Sequence, residues 1–242
     1  MAVDADVPLL VCVLAGNPVT STTVLACLNT ADATRLRRLH PAVAGVVADV
    51  PWADTDTPVA DVVRWRAVLP AAVGARLAPS VERDLLTKKA AAVALGGVTH
   101  LDLRDGWNVT DKLLLRLPPS LRALKIRKCD GLTGDGSFTH LVALVSLDCG
   151  VGPIFDDSLQ KLEGTWVVRG LPDGVSLEHL RQLRVLRADW SNLGDETLAS
   201  LPPSLEELAV SHCSSLTRDA SFEHLTALRS LDVANCGISP TH

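Results

Sequence analysis

Tyrosine is missing from this chain, and its 242 residues hold only three phenylalanines, five tryptophans and one methionine. Aromatic platforms that stack single-stranded bases are therefore not expected. Positive charge is not in surplus either. The formal net charge is −5, which disfavours nucleic acid and anionic membrane as main partners. No apolar run approaches the roughly 18 residues of a membrane span. The first basic residue is Arg35, so the apolar Leu9–Ala15 run and Val24-Leu25-Ala26-Cys27 lack the positive leader of an export signal. The cysteines include no Cys-x-x-Cys pair and predict neither zinc ligands nor a disulfide framework. A reducing compartment, cytoplasm or nucleus, is the expected location. Gly-x-x-x-x-Gly-Lys, Gly-x-Ser-x-Gly and His-Glu-x-x-His are all absent, so no enzyme and no cofactor are expected.

What is present is a duplication. Leu-Pro-Pro-Ser-Leu at 117–121 returns at 201–205, and Cys129, Phe138 and Asp148 return as Cys213, Phe222 and Asp232. Roughly 19 of 32 positions are identical at an offset of about 84. Inside each copy runs a shorter beat: Leu121-x-x-Leu124-x-Ile126-x-x-Cys129, then Leu144-x-x-Leu147-x-Cys149. The second copy reads Leu205-x-x-Leu208-x-Val210-x-x-Cys213, then Leu228-x-x-Leu231-x-Val233-x-x-Cys236. A period of about 23 residues predicts short parallel strands whose spaced Leu, Ile and Val point inward in columns. About seven turns are expected, starting near 98, 121, 144, 165, 183, 205 and 228, with the one at 165–182 degenerate. Cys129, Cys213 and Cys236 share one slot and read as small buried ladder residues. Pro118-Pro119 and Pro202-Pro203 suit turns leading into strands. Asp111, Asp156 and Asp195 are expected to cap convex helices.

Residues 1–94 show no repeat and predict a helical N-terminal domain or cap ahead of an array over 95–242. Asn29 to Asp32 reads as a helix start. Pro41 should kink a helix or begin a new one. Val59–Leu69 reads as a helix around Trp65, and Ser80 as the cap of a stripe formed by Val81, Leu85, Leu86, Ala90 and Val93.

The unit Leu-x-x-Leu-x-Val-x-x-Cys-x-x-Leu-Thr, with Asp then Leu following, resembles the cysteine-containing leucine-rich repeats over about 98–239. The resemblance implies an α/β leucine-rich-repeat solenoid with parallel strands on its concave face. Members of that family often carry a leading F-box. Val24-Leu25-x-x-Leu28-x-x-x-Asp32-x-x-x-Leu36-Arg37-Arg38-Leu39 with the later Trp52 resembles an F-box core over 24–52. This implies docking of a Skp1-like adaptor of a cullin ubiquitin ligase through Leu25, Leu28, Leu36 and Leu39.

A solenoid is a surface for binding, so a protein partner on the concave face is the main expectation. Candidate contacts are Arg104, Lys125, Arg127 and Lys128 early in the array, and Asp189, Trp190, Glu207 and His212 late. The face thus reads as basic early and acidic late, and the basic end predicts a partner with an acidic patch. Trp107 and Trp190 sit just past a strand, where a rim hot spot and a ring packed under a loop are both open readings. His140, His179 and His224 share one slot off consecutive turns, and predict ring nitrogens that satisfy loop carbonyls. Asp102, Asp148 and Asp232 share a strand position without a close acidic partner. The last strand is expected to fray or to self-associate through its free edge.

Overall fold

A computed structural model of the chain describes residues 25, 28–104, 109–126, 138–150, 171 and 173–238. Among these residues, eight strands form one sheet in strict sequence order, every neighbouring pair parallel. They are β1 (Pro58–Val59), β2 (Gly74–Leu77), β3 (His100–Leu103), β4 (Ala123–Ile126), β5 (Ser146–Asp148), β6 (Val185–Arg187), β7 (Glu207–Ala209) and β8 (Ser230–Asp232). The register lines up Ala75, Leu101, Leu124, Leu147, Leu186, Leu208 and Leu231 in one inward column. Every member but Leu231 is almost completely buried. Burying each leucine contributes about 1.5–3 kcal/mol. This is the arrangement of a leucine-rich-repeat solenoid.

The sheet starts earlier than the leucine beat. One backbone device marks each turn: the carbonyl at the strand entry accepts two successive N–H groups from the next turn. Thr99, Arg122, Val145, Arg184 and Glu206 all serve in this way. So do Trp52, for Val73 and Gly74, and Val73, for Thr99 and His100. The expectation that strands begin near Val98 is corrected: β1 and β2 continue the sheet through residues 58–77. They escape the leucine pattern because Ala75 fills a leucine slot. Gly74 is required there, since a Cβ would stand 2.5 Å from the Ala53 carbonyl carbon.

A second correction concerns the degenerate turn. β5 pairs directly with β6, Ser146 opposite Val185, so among the described residues no strand of the expected turn at 165–182 lies between them. Trp166-Val167-Val168 falls outside the described residues. Leu171, Val175, Leu177 and Leu180 are buried and pack into the core, beneath the turn that leads into β6.

Helices flank the sheet. α1 (Thr30–Leu36) starts at Asn29, whose side chain accepts from the Asp32 N–H at 2.8 Å, as the sequence predicts. α2 (Pro41–Asp49) begins anew at Pro41, since proline at the first helical position loses no hydrogen bond. α3 (Val62–Val68) is shorter than expected, because Val59 belongs to β1. The stripe from Val81 to Val93 is split into a 3₁₀ turn (Pro79–Val81), α4 (Glu82–Thr87) and α5 (Lys89–Ala94). Lys88 between the two helices is extended, Ser80 caps nothing, and Val93 lies exposed.

On the convex side lie α6 (Asp111–Leu114) and α7 (Asp195–Ala199). Asp111 and Asp195 open these helices but are not their caps. Thr110 caps α6. Asp173 caps α7 from the preceding turn, accepting from Gly194 and Thr197. Asp156 lies outside the described residues. The prolines behave as predicted: Leu121 and Leu205 donate to the Pro118 and Pro202 carbonyls in equivalent turns.

Candidate interaction surface

Residues alternating with the inward columns form the open face of the sheet, concave in solenoids of this kind. One row runs Arg76, Asp102, Lys125, Asp148, Arg187, Ala209 and Asp232. In-register strands stand roughly 5 Å apart, and like charges directly opposite one another are destabilising. The row therefore alternates in sign, broken only at Ala209. The neighbouring position repeats the rule: Glu206 lies between Arg184, which it pairs at short range, and Arg229 at 3.9 Å. The expected division into a basic early end and an acidic late end is corrected by this alternation. It needs the register to be seen.

The candidate contacts are distributed unevenly. Arg104 clamps Asp102, its Nη2 at 2.7 Å and its Nε at 3.0 Å from the carboxylate, while its own N–H donates to the same group. Asp102 is only 1 % exposed, so this guanidinium serves the sheet first. Lys125 stands between Asp102 and Asp148. Arg127, Lys128 and Trp107 lie outside the described residues. Burial pushes the half-buried Asp148 carboxyl above its ordinary pKa, and Arg104, Lys125 and Arg187 only partly restrain it. Glu207 is exposed and loosely paired with Arg187 at 3.7 Å. Asp189 accepts from the Ser211 N–H at 2.8 Å and so braces the turn after β6.

The late end holds a feature that sequence reasoning missed. Trp190 and His212 occupy equivalent strand exits, with φ of 58° and 61°. Bulky side chains rarely adopt this left-handed conformation. Asn235 repeats it at the next turn, with φ of 57°. The backbone is held by Trp190 N–H to Ser211 O and His212 N–H to Ala234 O, both 2.8 Å. The twist brings indole and imidazole face to face, centroids 3.9 Å apart and planes 12° apart. The His212 Nε2 then meets the Asn235 amide at 3.2 Å. No glycine signals these turns, so nothing in the sequence announces the stack. Of the two open readings for Trp190, the structure supports neither fully: the ring is half-buried and packed on a histidine at the rim.

Beneath the stack runs a ladder of small donors. The Cys213 thiol donates to Ala188 O and the Cys236 thiol to Val210 O, and Ser191 fills the same slot one turn earlier. Burial raises both thiol pKa values, which disfavours the reactive thiolate. Cys129 lies outside the described residues. His140 fits its expected role, with Nε2 3.3 Å from Leu117 O. His179 and His224 do not, since each has a buried Nε2 with no hydrogen-bond partner among the described residues. Among those residues no three His, Cys, Asp or Glu gather as a metal-binding group. No described helix is long and apolar enough to cross a membrane.

The four leucines of the Skp1-docking expectation separate in space. Leu25 is fully buried, and Leu28 and Leu36 pack against the core. Only Leu39 stands out, 66 % exposed.

No family model matches the sequence, and no curated protein matches it. Among solved structures, one that is similar is an internalin, inlF, from Listeria monocytogenes, at 16 % identity and a TM-score of 0.48. The match covers 81 % of this chain and 58 % of that one.

Proposed function

We propose that the chain is a non-catalytic protein-interaction scaffold whose partner binds the late end of the open sheet face, over Trp190, His212 and Glu207. The observation that carries this reading is the left-handed Trp190–His212 stack. Holding a bulky residue in that conformation costs about 1–3 kcal/mol, and such strain gathers at functional positions. Glycine or asparagine would hold these turns at less cost. A rigid aromatic rim beside exposed charge is the composition of an interface hot spot. Lys125, further along the face, extends the same surface. The test is affinity capture from an extract of the source organism with the intact chain and with Trp190→Gly. A specific partner retained by the first and lost by the second supports the reading. A partner held equally by both would end it.

A second reading is that residues 24–52 form an F-box-like adaptor segment, making the chain a substrate receptor of a Skp1–cullin ubiquitin ligase. Exposed Leu39 favours it; buried Leu25 does not. Co-purification with Skp1, with and without Leu39→Asp, decides this reading. Absence of Skp1 from the intact chain's eluate removes it.

A further inference from the structure

Among the described residues, β1 ends the sheet at a cleft. Thr57 to Asp61 form one wall; α1 with the turn after it forms another through Thr34, Arg35 and Arg38, and the face of α3 a third through Arg64, Trp65 and Val68. Its volume of about 420 Å³ lies within the usual range of ligand pockets, about 300–1,000 Å³. Pro58, Val59, Trp65 and Val68 give it apolar surface. The mouth is cationic. Arg38 and Arg64 have no ion-pair partner among the described residues, and Arg35 has only an exposed pairing with Asp32 at 2.9 Å. Asp61 is the one acid of the lining, and it is engaged in capping α3 through the Arg64 N–H at 3.0 Å. This local positive charge sits on a chain whose net charge is −5.

Among the described residues β1 has one neighbour, β2. Val59 O is used by the Ala78 N–H on that side, and the other edge of β1 is unpaired among the described residues. Unpaired edges accept extended peptides. The cleft therefore offers a strand edge, an apolar wall and a cationic rim together.

We propose that this cleft is a second binding site, separate from the open sheet face, for an extended peptide segment of a partner protein that alternates acidic and apolar residues. The acidic side chains meet Arg38, Arg64 and Arg35. The apolar side chains rest against Trp65 and Val68, and the peptide backbone lies along β1. Asp54 ties two walls of the site together. Its Oδ2 accepts from the Thr30 N–H and hydroxyl, both at 2.7 Å, and its Oδ1 from the Asp56 and Thr57 N–H groups. Thr30 and Thr57 both line the cleft.

The test uses the full chain and a fluorescein-labelled seven-residue probe, Ser-Glu-Leu-Glu-Val-Glu-Ser, with a twin in which lysine replaces glutamate. Anisotropy should show saturable binding of the acidic probe and none of the twin. The exposed pair Arg38→Glu with Arg64→Glu should weaken binding more than tenfold. Raising salt from about 50 to 300 mM should weaken it severalfold. Thr34→Trp, which fills the cleft without changing charge, should also abolish binding, with folding checked by circular dichroism. Trp190→Gly should leave probe binding unchanged, which keeps this test independent of the sheet-face reading. The proposal is overturned if the acidic probe does not bind, if both probes bind alike, or if the double reversal has no effect. Binding of dodecanoate with the same arginine dependence, and of no peptide, would likewise overturn it by making the site one for an amphiphile.

Discussion

Asp148 and Asp232 hold the same register position in the two copies of the duplicated stretch, on β5 and β8. Asp148 is half-buried, flanked by β4 and β6, and burial raises its pKa. Asp232 is exposed at the last strand, where hydrogen bonds from Ser211 and from the Ala234 N–H lower its pKa. The leucines beside them part in the same way: Leu147 is 0 % exposed and Leu231 43 %. Identical residues thus have opposite chemistry. The repeat sets where a side chain points, and the neighbouring turns set its environment. Function in such an array is therefore to be sought where turns differ, as at Trp190 and His212.

The largest expected effect lies in the paired leucines. Leu147→Ala should destabilise the fold by about 3 kcal/mol, because it leaves a cavity between covered turns. Leu231→Ala should cost less than about 1 kcal/mol. Urea denaturation of both variants measures the difference, and equal losses would break the comparison.

Asp102 is the third aspartate of the row and the most buried. Asp102→Ala should cost about 2 kcal/mol, since Arg104 loses a bidentate, charge-assisted partner in a largely dry position. The same experiment at high salt should give nearly the same loss, because a buried pair is poorly screened.

Trp190→Gly should change stability by less than about 1 kcal/mol. Relief of left-handed strain offsets the lost ring stacking. A thermal melt near that of the parent, together with loss of the captured partner, would separate a functional ring from a structural one.

The smallest effect carries a sign. The folded chain binds the Asp148 proton more readily than the unfolded chain does, so ionised Asp148 costs stability at neutral pH. That cost fades as pH falls through the raised pKa towards the ordinary carboxylate value. Asp148→Asn should stabilise the fold by less than about 1 kcal/mol at pH 7, allowing for solvent screening, and by nothing near pH 3. Asp232 has the opposite sign: its contribution is present above the ordinary carboxylate pKa and lost as pH falls. Denaturation curves of the two asparagine variants at both pH values check the pair.

Sequence alone reveals the columns, because leucine at Leu101, Leu124, Leu147, Leu186 and Leu208 is dictated by the period. It does not reveal β1 and β2, where Ala75 occupies that column and Val59, opposite Leu77, stands in the next one, both without the leucine spacing. The alternating charges are visible as residues and invisible as a pattern, since the 39-residue offset between Leu147 and Leu186 hides which strands touch. The stacked rim was hidden for another reason. Left-handed backbone normally announces itself by glycine, and here it is imposed on tryptophan and histidine by the turn before the next strand.

The most direct test of the sheet-face account is site-specific photo-crosslinking in an extract of the source organism. A benzoylphenylalanine placed at Glu207, on the open face, is compared with one at Arg116, which follows α6 on the convex side. The account predicts that one discrete protein is captured from Glu207, that Trp190→Gly abolishes the capture, and that Arg116 captures nothing comparable. Capture of the same protein from Arg116 with equal or greater yield would contradict it.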